Sequence, residues 1–397
     1  MGLLIRKQKG LAITGIGKLA IITFIMGISF SLIDTIWAVY LYDFLKSDSA
    51  VGFLSTLLTI ISFISFFLIV PLIEKTNKSK IFSITLLLFG ISYILFAINT
   101  KFYIVVILAF ILTILHTLRI TSFGIIVKDK SNKKNLSRNE GVTYTFMNTA
   151  WLIGPLIAGL ISEKYGIPII FLISAIFIFL CFFLFKISKI NDSNIDKKAN
   201  FNAIKNFKEF FKNKERTLAY FLGGGVNFWW SLIYLFIPLF IINNGLNVKW
   251  VGYFLFAIPI PLILFQYPFA KLAGKIGFKK IFKIGFFIPA ILAMSCFFIT
   301  NVYLILFILI LAGTGLAMLE ANTEAYFFDV LRKKEELKFY ALYNTTIDVN
   351  HFIGRLIASI ILLILPFKYL FLFFGFSMLF FSLLSSRIKN IIEKNKK

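Results

Sequence analysis

The run from Val302 to Phe327, VYLILFILILAGTGLAMLEANTEAYF, decides what kind of protein this chain is. Two acids apart, it is uncharged, and it is long enough for an α-helix to cross a hydrocarbon layer of about 30 Å. Glu320 and Glu324 stand one helical turn apart and therefore on one side of that helix. Insertion scales set the cost of an ionised residue at a membrane-helix centre at roughly 2.5 to 3.5 kcal/mol. Acids in such a place face water, a partner charge or a solute.

The composition carries the same message outward. The chain is 59% hydrophobic and 18% aromatic, with only 15% charged residues and a mean hydropathy of +0.88, which excludes an ordinary soluble globule. The 50 Phe residues fall mostly inside long apolar runs and read as packing and lipid-facing bulk. A net charge of +24 would suit a nucleic-acid binder if it were gathered into a basic domain, but it lies between the apolar runs. Cys181 and Cys296 sit in apolar runs without CxxC spacing, so neither disulfides nor a thiolate metal site is expected. The N-terminal cluster Arg6, Lys7, Lys9 and Lys18 lacks a convincing cleavage site behind it and reads as the approach to a first transmembrane helix.

Apolar runs predict spans at 19–42, 49–73, 80–99, 102–127, 140–162 and 166–187, then 217–243, 248–270, 280–299, 302–327, 339–364 and 367–386. With the N-terminus in the cytoplasm, 35 of the 42 Lys and Arg residues fall on the cytoplasmic side. The outer connections hold only Lys46, Lys101, Lys164, Lys249 and Lys368, while Arg119 and Arg355 lie within spans. The positive-inside rule thus predicts both termini in the cytoplasm of a multi-pass cell-membrane protein.

The expected domains are a six-helix bundle over 1–187, a basic cytoplasmic linker over 188–216, and a second bundle with a basic tail over 217–397. In the linker Phe201, Ile204, Phe207, Phe210 and Phe211 recur at helical spacing among lysines, as in a helix lying on the inner leaflet. The halves repeat at a shift of 200 residues. Ser31-Leu32-Ile33 recurs as Ser231-Leu232-Ile233, Val51-Gly52 as Val251-Gly252, Lys80-Ile81-Phe82 as Lys280-Ile281-Phe282, and Leu156-Ile157-Ala158 as Leu356-Ile357-Ala358. Duplication of a six-helix unit is the simplest reading.

Twelve spans in two parallel halves, a basic central loop and short basic loops after spans 2 and 8 resemble the major facilitator superfamily. The sequence from Ala270 to Lys280 is similar to the family's cytoplasmic G-x-L-a-D-r-x-G-r-k signature, keeping Lys275, Gly277 and Lys279 but placing Gly274 at the acidic position. In the first half Glu74 and Lys75 match, and Asn77 replaces the glycine. Gly154-Pro155-Leu156-Ile157-Ala158-Gly159 in span 5 is similar to the antiporter pattern G-P-x-x-G-G without its second terminal glycine. Gly154 and Gly159 permit close helix approach, and Pro155 releases a backbone hydrogen bond.

The resemblance implies an all-α fold of two pseudo-symmetric bundles in which spans 1, 4, 7 and 10 line a central cavity and 2, 5, 8 and 11 pack the halves together. On that frame Glu320 and Asp34 are candidate proton-coupling groups, the latter because a desolvated carboxyl can exchange protons near neutral pH. Arg119 aligns with Leu319 under the repeat and is expected to face Glu320, with His116 and Glu324 as further charge partners. Glu324, a turn nearer the cytoplasm, is expected to be met by Arg332, Lys333 or Lys334. Asn227, Trp230, Tyr234 and Gln266 are candidate substrate contacts, combining aromatic faces with hydrogen-bonding tips. Asp348, His351 and Arg355 form an i, i+3, i+7 stripe, which with Asn148 reads as a structural polar network between helices. Pro259 and Pro261 predict a kink in span 8.

Without a Walker loop, HExxH or nucleophile elbow, no enzyme, metal or cofactor is expected. The expected function is proton-coupled export of a small amphipathic solute by a monomer embedded in lipid, without nucleic acid. Import of a polar metabolite such as a sugar, amino acid or nucleoside uses the same fold. A lipid scramblase or scaffold is the reading from another class.

Overall fold

A computed structural model describes residues 15–74, 76–129, 136–188, 190, 203–332, 335–389 and 391–392. The first half consists of α1 (Gly15–Leu45), α2 (Asp48–Glu74), α3 (Lys78–Ile98), α4 (Phe102–Asp129), α5 (Leu136–Tyr165) and α6 (Ile167–Ile187). A short helix α7 (Ala203–Phe211) follows. The second half contains α8 (Lys214–Ser231), a π-helical turn (Leu232–Phe236), α9 (Ile237–Asn243), α10 (Val248–Ala257), α11 (Ile260–Ile276), α12 (Phe278–Cys296), α13 (Val302–Asp329), α14 (Glu336–Asn344), α15 (Thr346–Ile364) and α16 (Lys368–Leu384). Among the described residues, eleven stretches are long and apolar enough to cross a membrane. The remaining span, α12, opens with Lys279, Lys280 and Lys283 but packs between α13 and α16, as the 200-residue repeat of α3 requires.

Helix starts preserve the 200-residue register: Asp48 and Val248, Lys78 and Phe278, Phe102 and Val302, Leu136 and Glu336. The packing partners repeat as well. In the first half α1 packs on α5, α3 on α6 and α4, and α2 on α4; in the second α8 packs on α15, α12 on α16 and α13, and α11 on α13. The first and seventh spans are 78% buried over their most apolar stretch, against 33% for the second, fourth, fifth and sixth, which puts those two at the centre. The outer helices turn residues such as Ile98, Ile187, Phe298 and Leu363 outward, as a chain dissolved in lipid does.

Three departures from regularity follow from local chemistry. Pro238 has no N–H to give the carbonyl of Tyr234, and its ring crowds that oxygen, so the helix widens into the π turn and Ile237 N–H reaches back to Leu232 O. In α1 the equivalent residue is Ala38, and the helix runs through unbroken. The kink expected at Pro259 and Pro261 is a break between α10 and α11. Gly277 joins α11 to α12 at φ 85° and ψ 153°, a region open to glycine alone. At the equivalent corner of the first half Asn77 keeps a negative φ and caps α3, its Oδ1 accepting from Lys80 N–H at 2.6 Å.

The short helix α7 differs from a helix lying only on a lipid surface. Phe210 is fully buried and packs against Tyr220, Phe327 and Phe339. Arg216 donates to Phe210 O at 3.1 Å and Glu209 O at 2.8 Å, pairs with Glu335 at 3.2 Å, and lies over Phe339. These bonds fix the free carbonyls of the α7 C-terminus to the end of the second half. Phe207 still reaches Phe67 of α2, while Phe201 lies outside the described residues.

Candidate functional site

The halves meet along two crossings related by the repeat. On one, Gly52 of α2 meets Ser359 of α15; on the other, Gly252 of α10 meets Gly159 of α5. The second is backbone against backbone, since a Cβ on Gly252 would lie 2.8 Å from Gly159 Cα and 2.6 Å from Pro155 O. That is what the Gly-Pro motif of span 5 does here: Gly159 and Pro155 let α10 of the other half come close, and Gly154 makes room for Ser31 of α1. Polar bonds seal the same face. Ser49 Oγ donates to Ser359 O at 2.8 Å, Asn243 Nδ2 donates to Asp48 at 2.7 and 2.8 Å, and Glu163 takes Lys249 at 2.7 Å and Asn247 at 2.5 Å.

Inside this closure lies a cavity of 660 Å³, a size suited to a small organic molecule. Positions equivalent under the repeat line it from both sides: Phe30 and Trp230, Asp34 and Tyr234, Trp151 and His351. The π turn matters here because it carries Tyr234. Trp37 from α1, Ser55, Thr59 and Ser62 from α2, Phe89 and Tyr93 from α3, and Thr113 and His116 from α4 add to the first half's wall. Across from them α15 presents Asp348, His351 and Arg355.

Asp34 is open to the cavity although it lies mid-span, and it enters none of the three ion pairs among the described residues. Arg119 and Arg355 both act on it through space. Arg355 bridges the halves, its Nη1 donating to Thr59 Oγ1 at 2.8 Å and Ser55 O at 3.4 Å on α2. Arg355 Nε, His351 Nε2 and Ser55 Oγ are buried with no hydrogen-bond partner among the described residues. Buried polar groups are nearly always paired, so three orphans on one cavity wall point to water or a guest.

Not every expected contact is made. Arg119 does not face Glu320: its guanidinium stacks 4.2 Å over Phe30 and approaches His116 Nδ1 at 3.4 Å. Glu320 accepts from Trp230 Nε1 at 2.8 Å, and α13 contributes no residue to the cavity wall. Span 11 takes the lining place expected of span 10. The stripe on α15 faces the cavity, and Arg355 of that stripe bonds across to Thr59 of α2. Asn148 is exposed on α5 and outside that network, and Gln266 is half-buried on α11 away from the cavity. Glu324 accepts from Tyr340 of α14 at 2.9 Å instead of meeting Arg332. Lys75, Lys333 and Lys334, and the side chain of Glu74, lie outside the described residues; Lys275 and Lys279 flank the turn at Gly277.

Ser55, Thr59 and Ser62 were not singled out from sequence. Their i, i+4, i+7 spacing in an otherwise apolar helix is the signal that finds them.

The sequence profile of the Major Facilitator Superfamily matches residues 19–262 and 230–396. The chain belongs to this superfamily. It is 24% identical over 231 residues to an uncharacterized MFS-type transporter of Methanocaldococcus jannaschii, the match spanning 56% of this chain and 58% of that relative. Solved structures share its fold at low identity. A POT family transporter in complex with a thioalcohol-conjugated peptide has a TM-score of 0.78 at 12% identity, covering 93% of this chain and 95% of that one. A variant of the nucleoside transporter NupG has a TM-score of 0.77 at 11% identity, covering 94% and 99%. A bacterial homologue of the lysosomal transporter Spinster, inward-facing and unoccupied, has a TM-score of 0.71 at 11% identity, covering 94% of each chain. The protein is a multi-pass membrane protein of the Major Facilitator Superfamily.

Proposed function

We propose that this MFS transporter exports a small amphipathic organic solute from the cytoplasm by proton-coupled alternating access, as a monomer in the cell membrane. The observation that carries the reading is a cavity between two repeat-related halves, lined by aromatic residues, with Asp34 open to it and unpaired. A carboxyl group in that position binds a proton or a cationic guest in turn, and two Arg residues within electrostatic reach adjust the balance. Glu320 is the second coupling candidate. Its bond to Trp230 gives it another role, holding an aromatic wall of the cavity in place.

With termini and linker in the cytoplasm, as the basic residues favour, the sealed face carrying Asp48, Glu163, Asn243 and Lys249 is external, and the conformation is closed to the outside. Rocking the halves apart at the two glycine crossings then exposes the cavity outward. The Gly-Pro motif in span 5 and the aromatic lining favour export. Import of a polar metabolite is the second reading, favoured by Thr59, His351 and Arg355 in the wall. Proteoliposomes with an imposed pH gradient separate the two: export predicts solute and proton movement in opposite directions, import in the same direction.

A further inference from the structure

The reading of the cavity as the transport site leaves open what it binds, and the distribution of charge narrows that choice. Two acids, Asp34 and Asp348, and one guanidinium, Arg355, line the wall, with Arg119 behind Phe30 and His116. None of these four groups joins an ion pair among the described residues, although each Arg feels Asp34 and Arg355 also feels Asp348. Opposite charges held apart across one cavity match a guest that carries both.

The poles lie in different halves: Asp34 on α1, Arg355 on α15. Arg355 spends Nη1 on α2, while Nε is buried without a partner and no described group takes Nη2, so the guanidinium edge that forks a carboxylate is free. His351 Nε2 and Ser55 Oγ stand unpaired on the same wall. Trp37, Trp230 and Tyr234 line the same cavity and offer aromatic surface to an apolar body. A solute with only a negative charge would meet Arg355 but be repelled by Asp34 and Asp348. One with only a positive charge would suffer the converse from Arg355.

We infer that the cavity takes a zwitterionic solute, its cationic group on Asp34, its anionic group on the free edge of Arg355, and an apolar or aromatic body against the tryptophans. Such a guest bridges the halves and draws them together. Bound, it satisfies in one molecule the charges that the two halves hold apart.

The test uses the full chain in detergent and matched sets built on phenylalanine and on alanyl-phenylalanine: the free form with both charges, the N-acetyl form with only the carboxylate, and the amide with only the ammonium. Binding is read from the emission of Trp37, Trp151 and Trp230, which line the cavity. On at least one frame the doubly charged form binds roughly tenfold or more tightly than either relative, as expected for loss of a charge-assisted contact. Asp34→Asn removes its advantage over the N-acetyl form, and Arg355→Gln removes its advantage over the amide. Asp34→Glu retains both ratios, and ratios are insensitive to the fraction of protein that folds. Singly charged forms binding equally well, or no doubly charged form binding, overturns the inference. A singly charged solute driven uphill by a pH gradient would also overturn it while leaving the proposed transport reading intact, whereas a zwitterion that binds and never responds to the gradient does the reverse.

Discussion

Replacing Gly252 by alanine adds one methyl group at the place where the two halves come closest. That Cβ would lie 2.6 Å from Pro155 O, 2.8 Å from Gly159 Cα and 3.1 Å from Gly159 N. All three are backbone atoms of α5, so no side chain can swing aside, and α10 has to retreat from α5. Overpacking of this kind costs about 1 to 3 kcal/mol. The penalty falls on the conformation with this face sealed and disappears once the face opens, so the ratio of sealed to open molecules drops by roughly 5- to 150-fold. Gly52, its repeat partner, is an internal control. A Cβ there meets chiefly the Ser359 hydroxyl, the far end of a rotatable side chain, with Ser359 Cβ at 3.1 Å and Phe236 Cε1 at 3.2 Å. Gly52→Ala is therefore expected to shift the ratio much less. Spin labels at Ser47 and Asn244, in the connections of the sealed face, report the population through their distance distribution. A longer-distance population in Gly252→Ala and little change in Gly52→Ala is the expected result. Unchanged distances in Gly252→Ala, or a larger effect at Gly52, would refute the claim that backbone contact at Gly252 sets the closed state.

Three further outcomes follow from single contacts. Arg216→Met removes two bonds to α7 carbonyls and the pair with Glu335, and each charge-assisted bond lost leaves about 1.5 to 3 kcal/mol unmet; limited proteolysis of the linker should accelerate at least tenfold, and an unchanged rate would mean that α7 is held otherwise. Glu320→Ala strands the Trp230 indole N–H, costing about 1 to 3 kcal/mol, whereas Glu320→Gln keeps an acceptor; the thermal midpoint should fall further in the alanine variant, and equal midpoints would show that the bond contributes nothing. Thr59→Val takes away the acceptor that Arg355 Nη1 uses between the halves while keeping the shape, and is expected to weaken closure of the sealed face by about 0.6 to 2 kcal/mol, read by the same spin labels.

Much of this architecture can be read from the chain because lipid leaves few choices. Long apolar runs must be helices, and the 200-residue shift of Val51-Gly52 to Val251-Gly252 already held both glycine crossings. The register also pairs Asp34 with Tyr234 and Trp151 with His351, so part of the cavity wall was implicit in the repeat. What the repeat could not supply is how the halves differ. A single proline, Pro238, turns the helix at Tyr234 while Ala38 leaves α1 straight, and no periodicity shows the consequence for side-chain direction. The pairing of Arg119 with Glu320 failed for a related reason: equal depth along two helices says nothing about rotation, and Phe30 and Trp230 offered each group a nearer partner. The hydroxyl stripe of α2 escaped notice because serine and threonine can satisfy themselves on their own helix, as Thr59 Oγ1 does by donating to Ser55 O at 2.8 Å.

The account rests on Asp34 as the group through which protons and solute compete. The direct measurement is proton movement in proteoliposomes loaded with a pH-sensitive dye, on addition of whichever solute of the matched sets binds the wild-type protein. Wild-type protein should move protons when the solute is added, and Asp34→Asn should move none while still exchanging labelled for unlabelled solute across the membrane. Solute-dependent proton movement of wild-type size in Asp34→Asn would contradict the account at its centre.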